Sequence, residues 1–90
     1  MPNVYVHPSL VRFTKNRERE FRLQELSLSE LLSSVIALHP DLKPVFMDEQ
    51  GEVTSYVNVY VNGENYRHLP QDTPLKEHDQ IELMTPLVGG

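Results

Sequence analysis

The residues with the greatest chemical scope lie at the end of the chain, where Leu87-Val88-Gly89-Gly90 leads two residues without side chains up to an α-carboxylate. Such a stretch can lie extended in a slot too narrow for any larger residue. Gly90 would then present a bare carboxylate as the reactive group and expected attachment point, with Gly89, Val88 and Leu87 as the part expected to thread. Other chemistry is hard to find. The chain has no cysteine, which excludes disulfides, thiolate metal sites, iron–sulfur clusters and a thiol nucleophile. His7, His39, His68 and His78 show no ligand spacing and read as solvated side chains. No phosphate-cradling glycine loop or nucleophile elbow occurs, and no serine is spaced to pair with a histidine and an acid. No catalytic residue and no metal site is therefore assigned. In an arbitrary chain a Gly-Gly end is a frayed terminus, so its weight here depends on the elements that precede it.

Those elements begin with Asn3 to His7, where Val4 and Val6 alternate with Tyr5, the period of two of a half-buried strand. Pro8 ends it. The charged run from Lys15 to Glu20 reads as a solvated turn, and Phe21 and Leu23 alternating with Arg22 and Gln24 predict a second strand, paired with the first as a hairpin. Ser27-Leu-Ser-Glu30 has the pattern of a capping box and predicts a helix start. Leu28, Leu31, Leu32, Val35 and Ile36 then recur on one helical stripe, until Pro40 stops the helix by forcing His39 out of it. Val53 to Val61 reads as the longest strand, with Val57, Val59 and Val61 on one face and Tyr56, Asn58 and Tyr60 on the other. Asn62-Gly63 predicts a tight hairpin turn, with Glu64 to Leu69 returning as a short strand. Ile81 to Met84 alternates as a final strand, and nothing local is expected to fix the residues after Met84.

This order predicts an α+β chain of the β-grasp, or ubiquitin-like, arrangement: a mixed sheet of about five strands packed against one main helix. Residues 1–84 form the domain and residues 85–90 an extended, mobile Gly-Gly tail. Ninety residues leave no room for a second core. The net charge of −5, from 13 acidic and 8 basic residues, argues against nucleic acid and for a basic protein partner. No apolar run approaches the roughly 20 residues that span a bilayer, and no signal peptide is visible, so no membrane is expected and a cytoplasmic location is.

In its last third the chain reads Val59-Tyr-Val-Asn-Gly-Glu64, then Arg67, Leu75, a polar turn to Asp79, Ile81-Glu-Leu83 and Leu87-Val-Gly-Gly90. These residues resemble the signatures of the ThiS/MoaD family of ubiquitin-like sulfur carriers. The loop Pro8-Ser-Leu-Val-Arg12 is most similar to the CysO-type branch. His78 stands where the family usually has glycine before Asp79, and Thr85-Pro86 replaces its commoner proline.

The resemblance implies a carrier rather than an enzyme. An E1-like adenylating enzyme of the ThiF/MoeB type, using ATP and magnesium, would activate the carboxylate of Gly90. Sulfide or a persulfide donor would then convert it to a thiocarboxylate that gives its sulfur to an accepting synthase making a sulfur-containing amino acid or cofactor. The carrier itself binds no cofactor. Two alternatives stand beside this: a ubiquitin-like modifier joined to lysines through Gly90, and a non-covalent β-grasp interaction domain. Partner docking is expected on the sheet face opposite the helix, where strand periodicity places Tyr56, Asn58 and Tyr60 with Met84 beside them. Leu87 is expected to anchor the departing tail.

Overall fold

The computed structural model describes residues 1–51, 54, 56–70 and 72–85. Its strands are β1 (Asn3–Val6), β2 (Glu20–Arg22), β3 (Asn58–Val61), β4 (Glu64–Asn65) and β5 (Gln80–Met84). The helices are α1 (Pro8–Val11), α2 (Leu28–Leu38) and α3 (Lys43–Phe46), with single 3₁₀ turns at Lys15–Arg17, Pro40–Leu42 and Tyr66–His68. The strands form one sheet in the order β2-β1-β5-β3-β4, in which β1 and β5 run parallel and the other pairs antiparallel. This is the β-grasp arrangement, with α2 as its main helix.

Alternation along each strand sorts the sheet into two faces. Register aligns Phe21, Val4, Ile81 and Val61 across four strands, and Val6, Leu83 and Val59 across three. These rows join Leu28, Leu31, Leu32 and Val35 of α2 in one core, completed by Leu10, Val11, Leu42, Phe46, Val57 and Leu75. The helix starts as its sequence predicts: the Ser27 hydroxyl oxygen accepts the N–H of Glu30 at 3.4 Å. The Glu30 carboxylate takes the Ser27 hydroxyl at 3.1 Å rather than a backbone N–H, so only half of the reciprocal cap forms. At the other end His39 leaves the helical region, with φ −127° and ψ 80°.

Three expectations need correction. The strand expected from Val53 begins only at Asn58 and has four residues, while β5 has five. The reason is local: Thr54 gives its N–H to the Phe46 carbonyl at 2.7 Å and its hydroxyl to the Val45 carbonyl. That segment is thereby tied to the end of α3. Asn58 already faces Met84, the last residue of β5, so no strand remains for earlier residues to pair with. Likewise β4 stops at Asn65, because the Asn65 side chain accepts the N–H of Arg67 at 2.9 Å and turns the chain into a 3₁₀ turn.

The third correction concerns His39, which is 2% exposed rather than solvated. Its Nδ1 accepts the N–H of Lys15 at 2.9 Å, which places the ring proton on Nε2. Nε2 lies 3.1 Å from Glu18 Oε1, off the line of a well-formed hydrogen bond, so that contact is chiefly electrostatic. Phe21 packs against the ring at 5.0 Å between centroids. The charged run is therefore not a free turn: it is folded over a buried imidazole.

Candidate functional site

The outer face of the sheet is built from the residues that alternate with the core rows. Glu20, Tyr5, Glu82, Tyr60 and Asn65 stand side by side in register across all five strands. Asn58 and Met84 form the neighbouring pair on the same face. Tyr5, Asn58, Tyr60, Glu82 and Met84 are all half-buried. Three of the expected docking residues, Asn58, Tyr60 and Met84, thus share one surface at the end of the sheet where β5 finishes. The fourth, Tyr56, precedes β3 in a turn and is 71% exposed.

Sequence reasoning missed Tyr5 and Glu82, the central members of this row. The signal for each was present, since Tyr5 alternates with Val4 and Val6, and Glu82 with Ile81 and Leu83. What no local pattern carried was the pairing of β5 with both β1 and β3, which sets Glu82 between Tyr5 and Tyr60. Arg67 is a further addition. Its guanidinium lies over the Tyr66 ring at 5.1 Å and reaches Asn58 Oδ1 and the Thr54 carbonyl, each at 3.4 Å. It ties the loop before β3 to the edge of this face.

The base of the tail is also held. The His7 N–H bonds the Leu83 carbonyl at 2.8 Å, extending the β1–β5 ladder by one residue. His7 Nδ1 accepts the Ser9 N–H at 3.2 Å, capping α1, and the Ser9 and Thr85 hydroxyls meet at 3.1 Å. The expectation that nothing local fixes the chain after Met84 therefore fails at Thr85. Leu87, Val88, Gly89 and Gly90 lie outside the described residues.

At the opposite end of β5, Asp79 joins two loops. Its carboxylate accepts the Lys76 N–H at 2.7 Å and the Asn62 side-chain amide at 2.9 Å, while Asn62 Oδ1 accepts the Gln80 N–H at 2.8 Å. The hydrogen bonds from the Lys76 backbone and from Asn62 hold the Asp79 carboxyl below its usual range. The family-like residues Asn62 and Asp79 thus serve the frame of the sheet. Among the described residues no group of three or more His, Cys, Asp or Glu side chains could hold a metal ion. The arrangement offers a surface for recognition beside the start of a tail.

Comparison with known proteins agrees with this geometry. The family model described as ThiS family matches residues 9–90. No curated protein sequence matches the chain significantly. Among solved structures, small archaeal modifier protein 1 from Methanosarcina acetivorans is 29% identical with a TM-score of 0.80, covering 99% of this chain and 95% of that one. The Amycolatopsis orientalis BexX/CysO complex gives 22% identity, a TM-score of 0.79 and complete coverage of both chains. CysO from Mycobacterium tuberculosis gives 20% identity and a TM-score of 0.78, covering 94% of this chain and 98% of that one. The last two likenesses are of fold.

Proposed function

The chain belongs to the ThiS family of small ubiquitin-like carriers, and on that premise we propose that it carries sulfur as a thiocarboxylate at Gly90. The observation that supports this reading most directly is that the family match runs over 82 residues to Gly90, taking in the Gly-Gly end. A carboxylate is a poor electrophile. Attack of the Gly90 carboxylate on the α-phosphorus of ATP, in a partner adenylating enzyme that supplies magnesium, gives an acyl adenylate and releases pyrophosphate. Hydrosulfide then displaces AMP and leaves the thiocarboxylate, one sulfur replacing one oxygen. A protein persulfide serves equally if a second thiol afterwards reduces the acyl disulfide it forms.

In this reading the carrier contributes a docking face and a reach, and bond-making belongs to its partners. Asn58, Tyr60 and Met84, with Tyr5 and Glu82 beside them, form the face for the E1-like enzyme, and Tyr56 lies just outside the sheet. Leu87, Val88 and Gly89 thread, and the sulfur passes on to an accepting synthase. The working compartment is the cytoplasm. One experiment tests the assignment: incubation with a matching adenylating enzyme, ATP, magnesium and sulfide, followed by intact-mass measurement. The expected change is the gain of one sulfur and loss of one oxygen at the C-terminus, absent when Gly90 is deleted. An unchanged mass after adenylation has been observed would refute sulfur carriage.

A second reading is favoured by the 29% identity to small archaeal modifier protein 1. The same adenylate would then be attacked by a lysine amine of another protein, giving an isopeptide bond and AMP. Recovery of Gly90 bonded to lysine from cells would select this route.

A further inference from the structure

Charge is unevenly placed along the chain. Residues 12–19 hold four of its eight cations, Arg12, Lys15, Arg17 and Arg19, and one carboxylate, Glu18. That local excess of +3 leaves −8 for the remainder of a chain whose net charge is −5. The single carboxylate is engaged by the buried His39 ring at 3.1 Å. None of the four cations forms an ion pair with a described residue. Arg12 lies over the Phe13 ring at 4.8 Å, and all four are exposed.

The segment is also held in shape. The buried Thr14 hydroxyl lies 2.7 Å from the Val11 carbonyl and 2.9 Å from that of Glu18. The Lys15 N–H is fixed by His39 at 2.9 Å, and Asn16 and Arg17 take the left-handed backbone, with φ of 57° and 53°. Non-glycine residues adopt that region at a cost, and the bonds on either side hold them there. Its position follows from topology. Because β1 and β5 are parallel, with Val6 facing Leu83, the chain leaves both strands at the same end of the sheet. The Arg19 carbonyl accepts the Val6 N–H at 2.7 Å, placing the cationic segment at that end.

We propose that residues 12–19 are a preformed cationic docking surface for an acidic rim around the active site of the enzyme that activates the tail. The proposal rests on the sulfur-carrier reading, since any enzyme that receives Gly90 must approach this end. The five residues that follow Thr85 reach at most about 18 Å from it, so the segment lies at the mouth of any site the tail enters. A surface of +3 on a body of −8 fixes orientation, because a reversed approach opposes like charges. Nucleic acid fits less well, since an extended polyanion meets the acidic remainder of the chain as well as the segment.

The test measures ATP–pyrophosphate exchange by the adenylating enzyme with Arg17→Glu, Arg19→Glu and, at the opposite end of β2, Arg22→Glu. None of the three side chains forms a hydrogen bond or ion pair with a described residue, so melting curves are expected to match the parent. Each tail-end reversal is expected to raise KM for the carrier roughly threefold at low salt, with kcat unchanged. The difference should vanish in concentrated salt, where screening shortens to about 3 Å at 1 M, and Arg22→Glu should behave as the parent. Equal KM values for parent and tail-end variants would overturn the inference while leaving sulfur carriage intact. An equal rise for Arg22→Glu would assign the effect to net charge and also overturn it. Tighter binding of a labelled single-stranded oligonucleotide by the parent than by the tail-end variants would give the surface to nucleic acid instead. Absence of any exchange with the parent would remove the sulfur-carrier reading and this inference with it.

Discussion

At His39 one imidazole joins the end of α2 to a loop 24 residues upstream. Truncation to alanine removes a fully packed ring and leaves the Lys15 N–H without its acceptor. His39→Ala is therefore expected to cost about 2–4 kcal/mol in urea unfolding. His39→Leu restores bulk but not the acceptor and should still cost about 1–3 kcal/mol; if leucine is neutral, the ring acts as filling alone. Asp79 supplies a pH dependence of defined sign. Its folded pKa lies below the ordinary aspartate value of 3.8, so its contribution is fully present above that value and is lost as pH falls through the lower folded one. The stability gap between parent and Asp79→Asn should be constant near neutral pH and close in strong acid; a gap unchanged throughout would show that the carboxylate is not the stabilising form. The sequence made Asp79 visible as part of a motif. It left His39 looking like the frayed end of a helix, because the residues that bury it lie far away in the chain.

The elements that were legible are those whose signals are local. The Ser27 cap, the leucine stripe of α2 and the stop at Pro40 all stand where the sequence puts them. The Asn62-Gly63 turn does too, with φ of 53° and 85°. At Gly63 an added methyl group would meet nothing within 4 Å, so its whole cost is conformational. Gly63→Ala should accordingly lower stability by about 1–2 kcal/mol, read as a shift in the urea midpoint with the slope unchanged; no shift would mean that the turn relaxes to another form. Strand ends were less legible. Val57 alternates correctly and is fully buried, yet the strand begins after it. Length is set by the partner strand: β5 offers Asn58 its last residue, and hydrogen bonds to α3 claim what precedes it.

For the whole molecule, the fold class and the outer face followed from periodicity, whereas the strand order and the cationic surface required the parallel β1–β5 contact that only the folded chain supplies. The docking face is testable at this scale. Tyr60→Ala should weaken affinity for the adenylating enzyme by about 2 kcal/mol if the tyrosine is an interface anchor, as should Leu87→Ala if the tail is gripped there; two folded variants that bind like the parent would place docking elsewhere. The same β1–β5 contact bears on how the protein is made. A ribosome releases β1 first and β5 nearly last, yet β5 is the strand on which both β1 and β3 pair. A nascent chain halted before Gln80 has two sheet fragments with no strand to join them, and contacts so distant in sequence close late. Folding is thus deferred until the ribosome has passed the residues that lead into the tail. Chains ended before Gln80 are accordingly expected to remain unfolded and open to proteolysis.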